Sequence, residues 1–454
     1  MSETKFIPYE PEQDYLLPPR LNEWLPQDHL VYFVADVVKQ MDLSEFFKDY
    51  DGSEGGRPAY SPFMMVSLLL YAYCVGVFSS RRIERATYES VPFRVISADQ
   101  HPDHDTIASF RKRHLKRMEG LFTEVLRLCR EAGLVKLGHI ALDGTKVHAN
   151  ASKHKAMSYQ RIVKKERELE WQIERLFEAA EKVDAEEDAE YGVGVRGDEL
   201  PEELRFKRLR LERIREAKAA LEQRAREKAE REEQEKGGRP KGGGNRGGRG
   251  KVKDMKPKPK AQYNFTDGDS RIMVDKSINS FQQSYNCQAA VDEEAQIIVA
   301  ADVSNEANDK RQLVAMVDRV KEQTAGQMPK RLSADEGYFS SKQIEAVEKM
   351  IDLYIATAGR KHTDEEQLSA RGRIPADASK KERMARKLRT ERGKRIYGKR
   401  KEIVEPVFGQ IKEARGFRQF LLRGLENVTG EWKLVCTTHN LLKLFRNGPS
   451  RSLC

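Results

Sequence analysis

Residues 156 to 235 cannot share a packed layer with the sequence on either side of them. They are dominated by Glu, Lys, Arg and Ala, with Ile162, Leu169, Leu176 and Val183 every seventh position and Ile173 and Ala180 between. Leu204, Leu211, Ile214, Leu221 and Ala225 continue the pattern after a break at Tyr191 to Pro201. An apolar seam of this period buries one stripe of a helix against one partner, so the segment predicts a helical hairpin of coiled-coil type. The tract that follows, Gly237-Gly238-Arg239-Pro240-Lys241-Gly242-Gly243-Gly244, has little to bury and reads as a flexible link. The rest of the chain must therefore fold around a long helical insertion.

Before the insertion the sequence is first helical, then extended. Leu30, Phe33, Val34, Val37, Val38 and Met41 mark one face of a helix over 28–47, the run Phe63 to Phe78 is apolar throughout, and Ile107 to Cys129 marks a long buried face over 106–134. Exposed Arg81, Arg82, Arg85, Arg111, Lys112 and Arg113 would suit a helix-turn-helix-like DNA reader, or equally a plain bundle. His139-Ile140-Ala141-Leu142 then reads as a buried strand ending in Asp143-Gly144-Thr145. Past the link, the sequence predicts a hairpin over 284–303, a helix over 309–322, a strand over 330–335, a helix over 340–350 and a strand over 351–358. A basic helix over 380–415 and an amphipathic helix over 427–446 follow. With the insertion removed, this order is that of a mixed α/β sheet of the ribonuclease H type. The expected divisions are a helical DNA-binding domain over 1–135, the first core strand over 136–155, the hairpin and basic link over 156–260, the remaining core over 261–425 and a final helix over 426–454.

Composition removes several functional classes. No run approaches the roughly twenty apolar residues of a membrane span, and Met1-Ser2-Glu3-Thr4-Lys5 lacks the pattern of a secretory signal, so a cytoplasmic, nucleoid-associated protein is expected. Cys74, Cys129, Cys287, Cys436 and Cys454 show neither a CxxC pair nor a nearby histidine pair, which argues against a disulfide framework and a zinc site. The formal net charge is +10, but it is unevenly spread. Lys236 to Lys260 holds ten basic residues against Asp254, and Arg371 to Arg415 holds sixteen against six acidic, leaving the remainder acidic. Two basic tracts on an otherwise acidic chain suit a polyanion such as nucleic acid.

Three carboxylates stand out against that background. Phosphoryl transfer between two divalent cations needs acids converging from separate elements, and strand ends can supply them. Asp143 ends the first strand and Asp335, in Ser333-Ala334-Asp335-Glu336-Gly337-Tyr338, ends the fourth. Asp302 is the serious rival for the second position, since Asp292 reads as a turn residue and Asp309 as a helix N-cap. Glu405 lies in Tyr397-Gly398-Lys399-Arg400-Lys401-Glu402-Ile403-Val404-Glu405, with Lys412 seven residues on. His148 and His154 read as surface or substrate contacts.

These segments together resemble the Asp-Asp-Glu (DDE) transposases of bacterial insertion sequences that carry a Tyr-Arg-Glu-Lys signature, and the N-terminus resembles the InsH-type helical domain of that family. Asn264-Phe265-Thr266-Asp267, Tyr285-Asn286-Cys287-Gln288 and Gly416-Phe417-Arg418 extend the likeness. The resemblance implies a ribonuclease H-like core in which Asp143, Asp335 and Glu405 bind two Mg²⁺, with Mn²⁺ as a substitute. It implies Tyr397, Arg400, Lys401 and Lys412 on DNA phosphates; the spacing leaves open whether Arg400 or Lys401 is the signature contact. The implied partners are double-stranded DNA, as element terminal inverted repeats and as target, and a second copy of the chain on paired ends. Two alternatives remain at this point: a structure-selective nuclease on the same core, and a non-catalytic nucleic-acid-binding coiled-coil protein.

Overall fold

The computed structural model describes residues 20–50, 59–191, 202–236, 256–275, 280–357, 374–375 and 377–448. The Gly-rich link and the break before Pro201 lie outside the described residues, as does Cys454.

The N-terminal region is helical. It contains α1 (Leu30–Lys39), α2 (Ser44–Phe47), α3 (Pro62–Cys74), α4 (Ser80–Glu89), α5 (Val91–Ile96), α6 (His104–Arg113) and α7 (Leu115–Glu131). The helix expected over 28–47 is divided because the Asp42 carboxylate accepts the Ser44 N–H at 2.9 Å, starting α2 afresh. The helix expected over 106–134 is divided at His114, whose buried ring lies 4.5 Å from that of Phe110 and 5.3 Å from that of Phe46. α3 opens with Pro62, and every residue in it except Phe63 is buried. α6 is capped by Asp103, which accepts the Thr106 N–H at 2.7 Å.

The remaining elements are, in order, β1 (Ile140–His148), β2 (Ala156–Ser158), α8 (Tyr159–Tyr191), α9 (Glu202–Lys236), β3 (Gln262–Asn264), β4 (Arg271–Asp275), β5 (Ser280–Asp292) and β6 (Ile298–Ser304). Then come α10 (Gln312–Gln323), β7 (Arg331–Ala334), α11 (Ser341–Val347), β8 (Asp352–Ile355), α12 (Lys380–Arg389), α13 (Glu391–Gly409) and α14 (Leu425–Asn447). The short strands β2, β3 and β4 have no counterpart in the sequence reading. Clustering of backbone contacts separates two units: Met1–Val147 with Asn286–Leu421 and Glu426–Cys454, and His148–Tyr285 with Leu422–Leu425.

In the first unit the sheet runs β6-β5-β1-β7-β8. β1 is parallel to β7, with Ile140 opposite Leu332 and Leu142 opposite Ala334, and β7 is parallel to β8. β6 is antiparallel to β5. α14 was expected to be amphipathic but is buried on all sides from Glu431 to Leu441. It is a central helix, and its polar residues are bonded inward. Asn440 accepts the Ile298 N–H and donates to the Ile298 carbonyl, each at 2.8 Å, so a side-chain amide takes the place of a neighbouring strand at β6.

In the second unit α8 and α9 run antiparallel. Lys218 bonds Glu166 at 2.7 Å, Arg215 bonds Glu170 at 2.8 Å and Tyr159 bonds Glu222 at 2.8 Å. Between them Ile162, Leu169, Ile173, Leu211, Ile214, Ala217 and Leu221 are buried. These heptad residues, with Leu176 packed against them, thus meet along one seam; Ala180, Val183 and Leu204 lie outside the described side chains. His148 Nε2 lies 2.8 Å from Asp275 Oδ2.

Candidate active site

Parallel pairing of β1 with β7 decides where two acids go. Leu142 is level with Ala334, so the next residue on each strand, Asp143 and Asp335, emerges side by side at the same edge. Asp335 turns the chain there, its carboxylate accepting the Gly337 N–H at 2.9 Å. Crevices at the carboxyl ends of neighbouring parallel strands are where α/β sheets bind ligands.

Glycines beside both acids allow the close approach. A Cβ on Gly144 would meet Gln288 Nε2 at 2.5 Å and Asp309 Oδ1 at 3.0 Å, and one on Gly337 would meet Asp335 Oδ1 at 3.0 Å and Asp309 Oδ2 at 3.2 Å. Asp309 therefore sits between the two turns. Its Oδ1 accepts hydrogen bonds from Asn286 Nδ2 at 2.6 Å and Gln288 Nε2 at 2.8 Å. The Tyr338 hydroxyl donates to Gln288 Oε1. The expected N-cap role is not the one seen: Arg311 precedes α10, and the Asp309 side chain is held by β5.

A cation reaches the acids from α13. Arg400 Nη1 donates to Asp143 Oδ2 at 2.8 Å, and both side chains are largely buried. Lys401, one residue on, is exposed. The Arg400 guanidinium lies 5.8 Å from the centre of the Tyr397 ring. Burial raises Asp143 to about 6 from 3.8, and the nearby charge of Asp335 adds to the rise while Arg400 opposes it. Lys146, three residues along β1, has a buried ammonium with no hydrogen-bond partner among the described residues, and burial lowers its pKa against the pull of Asp309, Asp335 and Asp143. Burial, more than the nearby acid, is what pushes the Asp143 carboxyl up, and a desolvated acid beside a second one is a place that a bound cation would relieve.

The local sequence of α13 explains how it delivers these groups. Pro406 lies inside the helix and can donate no N–H to the carbonyl of Glu402. Gln296 Nε2 donates to that carbonyl instead, at 2.9 Å. Just beyond, Gln410–Ala414 forms a π turn, a wider coil that shifts the helical phase. Lys412, on this turn, points at β1, with Nζ 3.3 Å from Thr145 Oγ1 and 3.2 Å from the Lys146 carbonyl.

The strand expected to end at Asp143 runs on to His148, so Asp143 lies inside β1; Asp143, Asp335, Arg400 and Lys412 gather beside the middle of β1 and the end of β7, with Tyr397 beside Arg400. Glu405 is exposed, and neither it nor Lys401 forms a hydrogen bond or ion pair among the described residues. Tyr397, Lys401 and Glu405 recur every fourth residue, which places them along one face of α13. Among the described residues no three His, Cys, Asp or Glu side chains are gathered closely enough to hold a metal ion. Asp143 and Asp335, two hard oxygen donors crowding one another, do suit a divalent cation such as Mg²⁺.

Other expected groups lie elsewhere. Asp302 Oδ2 pairs with Arg319 Nε at 3.3 Å. Asp292 is the expected turn residue, accepting the Leu137 N–H at 2.8 Å and the Glu294 N–H at 3.0 Å. In the helical region Arg81, Arg82, Lys112 and Arg113 are exposed, but Arg111 is buried and donates to the Phe78 carbonyl at 2.9 Å and the Tyr73 hydroxyl at 3.1 Å. It is a packing residue, not a surface contact. The sequence reading did not single out Asn286, Gln288 or Lys146 as site residues. The available signal was Asn286 and Gln288 themselves, two fully buried polar residues one pleat apart in an apolar strand.

Two family models match parts of the chain. Residues 19–113 match the family model "Transposase domain (DUF772)", and residues 359–445 match "Transposase DDE domain". No curated protein and no solved structure matches the chain. The second match implies a ribonuclease H-like fold, in keeping with the mixed sheet of the first unit, and chemistry that uses divalent metal ions. Among the described residues no helix is long and apolar enough to cross a membrane. With one transposase domain over the helical N-terminal region and a DDE domain over the segment carrying Arg400, the two matches support an insertion-sequence transposase, and the chain is a DDE-type DNA transposase.

Proposed function

We propose that this transposase cleaves DNA at the ends of its insertion element and joins the freed 3′ ends to target DNA, with Asp143, Asp335 and Glu405 as its three catalytic carboxylates. The observation that supports this reading is the parallel register that sets Leu142 opposite Ala334, so that Asp143 inside β1 and Asp335 just past β7 follow at the same level, with Arg400 2.8 Å from Asp143. Two Mg²⁺ held by these acids would stabilise the attacking and leaving oxygens of an in-line displacement. The chain's own part is to position. Asp143, ionised, would be one of the groups that hold the cation, and Arg400 fixes the orientation of its carboxylate while the remaining guanidinium N–H groups would serve phosphate. Lys412 supplies a point charge beside Thr145, and Tyr397 and Lys401 lie on the α13 face that also carries Glu405. Glu405 approaches the other two acids when DNA and cation are bound. The antiparallel α8 and α9 form an insertion following the first core strand, and two protomers act together on paired ends.

The test uses the full chain and the DNA flanking its own gene, with and without Mg²⁺. Asp143→Asn, Asp335→Asn and Glu405→Gln should each retain DNA binding and abolish both cleavage and joining, whereas Asp302→Asn should stay active because its partner is Arg319. Full activity of Glu405→Gln would remove Glu405 from the set. Cleavage without joined products would identify a nuclease instead.

A further inference from the structure

The other ends of the two acid-bearing strands carry a separate feature. His139 precedes β1 and Arg331 begins β7, each four residues before its strand's acid, so at about 3.3 Å per residue they lie about 13 Å from it. Against these ends rests α13, and between them is a cavity of about 300 Å³ lined by His139, Glu293, Arg331, Arg392, Arg395 and Lys399.

The charges in this cavity do not balance. Lys399 is 3.4 Å from Glu293, and Arg392 is 3.6 Å from Asp352, which lies outside the lining. The side chains of Arg331 and Arg395 form no hydrogen bond or ion pair among the described residues. His139 is buried and fixed, with Nε2 2.9 Å from Ser333 Oγ and Nδ1 3.5 Å from Glu293. The wall is thus rigid on the strand side, and two guanidinium groups are left without acids in a concave space. A planar fork of N–H donors matches the oxygens of a phosphate and can bind two at once.

We propose that this cavity is a phosphate-binding site distinct from the carboxylate cleft, with Arg331 and Arg395 as its principal donors. Its occupant is a phosphodiester of DNA, a source that rests on the transposase reading; a free polyphosphate offers the same chemistry. Lys399 and Arg400 are successive residues about 100° apart around α13. The helix would then hold one phosphate on the cavity side and another on the side facing Asp143, which sets the path of the DNA backbone across it.

Fluorescence anisotropy with a duplex of arbitrary sequence, in EDTA and over a series of NaCl concentrations, tests the site without cleavage. The Arg331→Gln/Arg395→Gln double variant should reduce the log-log salt slope by about 1, since each duplex phosphate contact contributes about 0.9. Arg331→Lys/Arg395→Lys keeps the charge and should restore most of the slope while weakening binding, an outcome that mere misfolding would not give. In a second arm, inorganic pyrophosphate is titrated calorimetrically. Heat of binding in the wild type that disappears in the Gln variant, with an unchanged DNA slope, would keep the phosphate site and identify a free anion as its occupant. An unchanged slope together with no pyrophosphate binding overturns the proposal. End cleavage by the wild-type protein is measured separately, so failure of this site and failure of the transposition reading are told apart.

Discussion

Replacing Asp143 by Asn should make the metal-free protein more stable at neutral pH, although it removes an ion-pairing partner of Arg400. Burial and Asp335 raise the acid to about 6 from 3.8 in the folded chain. Because the folded form holds this proton more tightly than the unfolded form, the associated stability is present below pH 3.8 and is lost as pH rises through about 6. Each pH unit between the two values is worth about 1.4 kcal/mol, so the ionised carboxylate costs roughly 3 kcal/mol above pH 7. Asn has nearly the same shape, stays neutral, and its amide oxygen can still accept from Arg400. Urea unfolding in EDTA, followed by the buried Trp432 in a background with Trp24→Phe and Trp171→Phe, should show a gain of about 2 to 3 kcal/mol at pH 7.5 that shrinks below pH 5. Mn²⁺ should close the gap, stabilising the wild type by about 2.7 kcal/mol at a hundredfold excess over its dissociation constant while leaving the variant nearly unmoved. If the Asn variant is less stable at pH 7.5 in EDTA, the Arg400 pair outweighs desolvation, and the argument that burial makes the ionised Asp143 costly fails.

Divalent binding should itself depend on pH: calorimetric titration with Mn²⁺ should show affinity falling as pH drops through about 6, with proton release, because Asp143 must ionise to become a ligand; affinity independent of pH from 5 to 7 would count against it. Arg400→Lys should cut end cleavage by at least about tenfold, since an ammonium cannot replace a two-pronged donor, whereas Lys401→Gln should mainly weaken DNA binding; equal cleavage losses would give Lys401 a comparable role. Gly144→Ala should cost about 1 to 3 kcal/mol, because its Cβ would lie 2.5 Å from Gln288 Nε2. Adding Gln288→Ala should then cost less than the two separate losses predict, which a double-mutant cycle in urea would measure.

The contrast between Asp143 and Asp309 shows what can be read from the sequence here. Asp335 was legible because it directly follows an apolar strand near a glycine, a local pattern; Asp143 was singled out by the same rule, although β1 runs on past it to His148. That they become neighbours depends on the parallel register of β1 with β7, which pairs residues nearly two hundred positions apart and leaves no local mark. Asp309 follows Asn308 before a helix, so its short-range context imitates a cap. Its actual partners, Asn286 and Gln288, come from a strand more than twenty residues earlier. Arg111 failed in the opposite direction: it belongs to a basic run, Arg111-Lys112-Arg113, yet only its own side chain turns inward to Phe78 and Tyr73. The basic helix over 380–415 divides at Thr390, whose hydroxyl caps α13 by accepting the Gly393 N–H at 3.0 Å. Gly393 is required there, since a Cβ would fall 2.0 Å from the Lys387 carbonyl oxygen of α12. That close contact fixes where α13 begins and hence its rotation. Rotation decides that Arg400 turns toward Asp143 while Lys401 faces solvent, a distinction that two adjacent basic letters cannot express.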